Sequence, residues 1–132
     1  MARPDIRRTV QTKLGVGYMT RGLNTSSLIA FDYAISGNNV TGYTNQIQRG
    51  FMPAAGRKPA SSPWTADNSL FISWIGINDI HAGYDATTTI NAITRQQQSL
   101  YDVGARNFVL INMPPWDRSP MGTYGSQPSI SH

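Results

Sequence analysis

The chain has 132 residues, 39% of them hydrophobic and 14% charged, a balance that describes one globular domain and excludes a disordered polypeptide. No apolar run approaches the ~20 residues that span a bilayer, and with no cysteine there is no disulfide, thiolate nucleophile or thiolate metal site. The net charge of +4 does not outline a nucleic-acid footprint, because Arg3, Arg7, Arg8, Lys13 and Arg21 crowd the N-terminus while the other basic residues are scattered among aspartates.

Residues 1–27 read as a poorly determined lead-in, with a short helix around Thr9 to Leu14. They lack the basic start and apolar core of a secretory signal peptide. Two glycosylation triplets occur, Asn24-Thr25-Ser26 and Asn39-Val40-Thr41, and such triplets also arise by chance. Leu28 to Ala34 is apolar and aromatic apart from Asp32 and predicts a strand that runs into the turn formers Ser36, Gly37, Asn38 and Asn39. A short helix is expected over 43–51, with Ile47 and Phe51 on one face. Met52 to Asn68 carries Pro53, Gly56, Pro59 and Pro63 and must be loop, with Trp64 folding back over an edge of the core.

Leu70 to Ile75 predicts a buried strand that breaks into Gly76, Asn78 and Asp79. After a polar connection, Ile90, Ile93, Leu100 and Tyr101 mark one helix face over 89–101, with Gln97 as its one gap. Asp85 offers an N-cap and Gly104 a left-handed C-terminal cap. Phe108 to Ile111 is a further strand, stopped by Pro114 and Pro115. Strand, helix, strand at this spacing is a βαβ unit, so the strands are parallel and their carboxyl ends share one rim. Three turns, at 37–38, 76–79 and 112–115, should meet there. Residues 121–132 read as a flexible tail.

Ligands bind at the carboxyl ends of strands in open α/β sheets. A side-chain amide at Asn78 and a backbone N–H at Gly37 could converge there as an oxyanion hole, the preorganised stabiliser of an acyl-transfer intermediate. Taken alone, Gly-x-Asn-Asp reads better as an ordinary turn, with Asp79 capping the turn after it. The two histidines, His81 and His132, are too few and too isolated for a metal centre.

Ala34-Ile35-Ser36-Gly37-Asn38, Phe71 to Asp79 and Asn107 to Pro120, in this order and spacing, resemble the SGNH (GDSL-type) hydrolase family. The likeness is to its carbohydrate-esterase or lipase/acylhydrolase branch. Trp74 to Asp79 is similar to the block whose Asn supplies an oxyanion amide, and Tyr33 to Gly37 to the block whose Gly supplies a backbone N–H. The resemblance implies a partial SGNH domain over 28–120. Its fold would be an incomplete flavodoxin-like three-layer α/β arrangement with a parallel sheet, lacking the first strand and the C-terminal helix region.

The implied function is carboxylic-ester hydrolysis through a serine acyl-enzyme, on small acyl or acetyl esters of carbohydrate. Gly37 and Asn78 would form the oxyanion hole. No cofactor, metal, nucleic acid or membrane span is implied, and the partner is a small-molecule or carbohydrate ester. The family acts outside the cell.

Two departures stand out. The sequence contains no Gly-Asp-Ser turn to carry a nucleophile and no Gly-x-Ser-x-Gly elbow in its place. His132 comes after Ser129-Ile130-Ser131 without the aspartate of the family's Asp-x-x-His block, and His81 reads as a surface residue. The expectation is therefore an inactive fragment of such an esterase, lacking nucleophile and general base. The alternative is a non-catalytic carbohydrate- or ester-binding protein of the same fold, using aromatics such as Trp74 and Trp116.

Overall fold

A computed structural model describes residues 28–115 and 118–120. The helix expected near Thr9, Trp116 and the expected tail all lie outside the described residues. Among those described, no helix is long and apolar enough to cross a membrane.

The first element is α1, Val40–Asn45, which passes directly into a π-helical stretch, Gln46–Phe51. Asn39 starts it: its side-chain oxygen accepts from the backbone N–H groups of Thr41 (3.1 Å) and Gly42 (3.2 Å). This is the preferred use of asparagine at a helix start, where the first N–H groups have no partner within the helix. Tyr43, Ile47 and Phe51 recur every four residues, and all three are buried. The helix begins earlier than the apolar spacing predicts, because the cap rather than the hydrophobic face sets its start.

Two short strands form a parallel sheet: β1, Phe71–Ser73, and β2, Phe108–Leu110. Phe71 is paired with Phe108, Ile72 with Val109 and Ser73 with Leu110. The crossover contains α2, Ile77–His81, and α3, Ala86–Asp102. Asp85 caps α3 by accepting the Thr88 N–H at 2.8 Å, and that bond holds its carboxyl below the ordinary carboxylate range. Beyond the helix Gly104 adopts φ +106°, the left-handed conformation expected of it. The mixed helix and strand content and the parallel pairing fit the expected α/β class.

One face of the sheet carries the core. Tyr43, Ile47, Phe51, Ala55, Leu100 and Ala105 are its buried apolar members. An aromatic cluster closes one side: Phe51 meets Phe71 edge-on at 5.5 Å, and Trp64 lies 5.8 Å from Phe51 and 5.3 Å from Phe71. Pairs of this kind add ~0.5–1.5 kcal/mol beyond the area they bury. Trp64 covers the core edge as expected, and its indole N–H donates to the Ala55 carbonyl at 2.6 Å. The loop before it contains one 3₁₀ turn, Ala55–Arg57.

Gln97, the gap in the apolar face of α3, has a partner in each layer. Its amide donates to the Tyr43 hydroxyl and, at 3.2 Å, to Ser73 Oγ, and those two hydroxyls are 2.8 Å apart. The three residues come from α3, α1 and β1, so one polar junction ties both helices to the same side of the strand. Burial pushes the Tyr43 phenol above its ordinary value, partly offset by the bonds from Ser73 and Gln97.

Four expectations are corrected. Leu70 to Ile75 is not a buried strand throughout: pairing with β2 is confined to Phe71–Ser73, and Leu70, Ile72 and Trp74 are exposed, because the sheet covers the core with one face only. Leu28 to Ala34 is not a strand: Leu28, Ile29 and Phe31 are exposed, and the Ala34 N–H is taken by the carboxylate of Asp32 at 2.9 Å. A strand exists only through a paired neighbour, and among the described residues no strand pairs with this stretch. Ile90 and Tyr101, assigned to the core face of α3, are 60% and 48% exposed. Thr89 and Leu100, their immediate neighbours, are the buried residues of α3, so the packed face is rotated by about one residue, roughly 100°, from the one that the apolar spacing marks. Finally, Ile77 to His81 forms a short helix rather than a turn leading into a polar connection.

Hydrogen exchange should therefore separate these segments. Amides of 28–34 are expected to exchange at close to unfolded rates, and those in the middle of α3 at rates set by global opening. Strong protection at 28–34 would mean that some segment pairs with it. Alkaline pH provides a second check. A phenol whose folded pKa is raised keeps the protein at full stability below the unfolded value of about 10 and loses stability as pH rises through the folded value. Denaturation midpoints should fall above about pH 10, and Tyr43→Phe should remove part of that fall.

Candidate functional site: a rim of amide donors

The rim is built where two turns distant in sequence meet. Gly76 leaves β1 with φ +115°, a backbone that side chains rarely adopt, and it starts α2. A Cβ placed there would lie 3.7 Å from the Met113 sulfur and 3.9 Å from the Thr89 methyl. The turn after β2 and the first turn of α3 therefore lie beside this glycine at ordinary contact distance, and its positive φ is what favours glycine here. Across the rim, Ser36 and Gly37 turn with φ +79° at Gly37, and the Asn38 N–H donates to the Ile35 carbonyl at 3.2 Å.

Two side chains of α2 lock these turns together. Asn78 Nδ2 donates to the backbone carbonyl of Asn38 at 2.8 Å. Asp79 is completely buried, and its two carboxylate oxygens accept the Val40 N–H at 3.0 and 3.1 Å. That N–H belongs to the first residue of α1, so the carboxylate sits at the positive end of the helix. Asn39 holds the next two N–H groups, and Asp79 takes the one its side chain does not reach. A buried charge is tolerated only where such donors meet it.

The structure thus brings Gly37 and Asn78 to one rim, with Asn38 between them. An asparagine amide has two N–H groups, one of which is given to Asn38. What this geometry can do chemically is present N–H donors to an incoming oxygen. Ser73 lies just below, but its hydroxyl is engaged by Tyr43 and Gln97. His81 is exposed on the last turn of α2, and His132 lies outside the described residues. Among the described residues, no group of three metal-ligating side chains occurs.

Asp79 is the residue that sequence reasoning undervalues. Its position marks it as a cap for the turn after it, yet its partner is Val40, on the far side of the rim. Nothing local signals a bond of that range. The available hint is an ionisable residue directly after an apolar run, where a charge needs a partner.

Compared with known proteins, the chain matches no family model and no solved structure. It is 33% identical over an alignment of 132 residues to an acetylesterase of Thermothelomyces thermophilus, which takes in 86% of this chain and 43% of the acetylesterase. The chain therefore spans less than half the length of that relative. The similarity supports a relationship to an esterase family.

Replacing Asp79 with Ala should leave the Val40 N–H buried without an acceptor, at a cost of about 1–3 kcal/mol. Chemical denaturation measures that loss, and amide NMR should show Gly37, Asn38 and Val40 moving together. Asn78→Ala should move Asn38 while leaving Val40 in place. Equal disturbance at both positions in both variants would show that the two contacts are not separate clamps.

Proposed function

We propose that this polypeptide derives from an SGNH/GDSL-type carboxylic-ester hydrolase acting on acetyl or other small acyl esters of carbohydrate. In that reading Gly37 and Asn78 are its oxyanion-hole donors. The observation that carries it is the Asn78–Asn38 bond, which draws an amide side chain and a glycine turn from separate parts of the chain onto one strand-end rim. The similarity to an acetylesterase supports the ester chemistry. An extracellular place of action belongs to the same proposal and rests on the family resemblance.

The chemistry of the complete family proceeds by attack of a serine on the ester carbonyl, a tetrahedral intermediate held by N–H donors, and hydrolysis of the acyl-enzyme by water. In this reading Gly37 and Asn78 supply the donors, and the sequence carries neither the Gly-Asp-Ser turn nor the Asp-x-x-His arrangement of the proton-transfer pair. Serine is a weak nucleophile until a base activates it, so these 132 residues by themselves would bind the developing oxyanion without an engine to form it.

A chromogenic acetyl-ester assay on the purified chain tests both halves of the proposal. Donors and binding alone leave at most about 10³–10⁴-fold over water. The expected turnover is of that residual size, indifferent to serine-directed reagents and lowered by Asn78→Ala. Robust turnover abolished by a serine reagent would overturn the inactivity and leave the esterase reading standing. Residual activity unchanged in Asn78→Ala would remove that residue from the oxyanion hole.

A further inference from the structure

An open groove of about 420 Å³ starts at the rim and runs between residues 33–38 and the outer side of α1 with its π-helical continuation. Ligand sites commonly measure ~300–1,000 Å³, so it is large enough for a small ligand. The sequence accounts for its depth. A Cβ at Gly42 would lie 2.3 Å from the Asn38 side chain, and one at Gly50 would lie 3.1 Å from the Tyr33 ring. At Gly42 a side chain would collide with Asn38 and at Gly50 it would crowd Tyr33, so the two glycines let these side chains pack directly on the helix and form the groove's two ends. The floor between them is ~12 Å long at 1.5 Å per residue. Its far half is the π-helix Gln46–Phe51, a geometry frequent at functional sites.

The lining has a definite chemistry. Asn38, Asn45 and Gln46 provide three carboxamides, each both donor and acceptor, which suits neighbouring hydroxyl groups. Tyr33 provides a ring fixed edge-on against Phe51 at 6.1 Å, a rigid apolar wall for the C–H face of a pyranose. Among the described residues Arg49 provides the cation of the lining, and its planar fork matches a carboxylate. Hydroxyls, a ring face and one negative charge describe an acidic sugar.

We infer that this groove binds a uronate-bearing oligosaccharide, with the carboxylate at Arg49 and the sugar hydroxyls on Asn38, Asn45 and Gln46. Asn38 is shared: its carbonyl is held by Asn78 at the rim while its side chain lies in the groove. A sugar in the groove therefore places its rim-side end beside Gly37 and Asn78. The groove is then the alcohol-side subsite of the proposed esterase, and for this placement the inference rests on that reading.

Amide NMR titration of the full chain with cellobiouronic acid and with cellobiose tests it, since the two disaccharides differ chiefly in the carboxylate. The acid should bind about tenfold tighter, the worth of one charged hydrogen bond, with shifts confined to residues 33–50. Arg49→Gln should reduce that preference to within about twofold while leaving the weaker cellobiose binding intact. Asn45→Ala together with Gln46→Ala should weaken both sugars, and spectral dispersion confirms that each variant is folded. No preference for the acid, a preference that survives Arg49→Gln, or shifts centred elsewhere would each overturn the inference. Sugar binding is read separately from turnover: uronate binding without any Asn78-dependent hydrolysis would uphold the groove and count against the esterase reading. Ester turnover with no uronate shift would overturn the groove alone.

Discussion

The buried carboxylate of Asp79 is the constraint on which the rest of the site depends. A charge removed from water must be met by donors, and here the donor is the Val40 N–H at the start of α1. Satisfying it brings α2 against the beginning of α1 and fixes where the 36–39 turn lies relative to the end of β1. Asn78, one residue earlier, then falls within reach of the Asn38 carbonyl. The rim is therefore a consequence of helix capping: the orphan N–H groups of α1 are shared between Asn39 from its own turn and Asp79 from across the sheet.

Below the rim, the junction of Tyr43, Ser73 and Gln97 holds the layers in register. Apolar packing would allow α1 and α3 to slide over β1 with little penalty. Three hydroxyl and amide groups that must find one another allow a single arrangement. The aromatic cluster of Phe51, Trp64, Phe71 and Phe108 supplies burial on the adjoining side and anchors the ring of Tyr33. In this way the packing of the core reaches the wall of the groove. The opposite face of the sheet is different: Ile72 and Val109 sit side by side and exposed. Parallel sheets are ordinarily covered on both faces.

Amide and backbone donors gathered by tertiary contacts suit stabilisation of negative charge on oxygen, and similarity to part of an acetylesterase supports ester chemistry. A nucleophile activated by a base is a different requirement, and neither the Gly-Asp-Ser turn nor the terminal Asp-x-x-His arrangement occurs in the sequence. The proposed function therefore assigns to this chain the stabilising half of an acyl-transfer site, and the proposed groove would give that half a substrate to hold.

By itself the sequence determined the elements whose causes are local. Asp85 and Gly104 bracket α3, Gly76 turns the chain after β1 into α2, and the four-residue spacing of Ile47 and Phe51 marks a buried face. Capping, left-handed backbone and helical period all act over a few residues, so they can be read from neighbours. The turn at Gly37 is expected at the rim on the strength of a strand over 28–34 that does not form; the Asn78–Asn38 and Asp79–Val40 bonds bring that turn beside Asn78 instead. Tertiary structure alone decided the rest. Leu28 to Ala34 is apolar enough for a strand, yet a strand requires a partner that local sequence does not specify. Ile90 and Tyr101 fit the period of α3 but point off the face that packs, which Thr89 and Leu100 beside them occupy. Gln97 is a flaw in that face by period alone, and its reason lies opposite it in Tyr43 and Ser73. Asp79, a local cap by its position in the chain, serves a helix on the other side of the rim, because a buried charge is satisfied by whichever donor the fold brings to it.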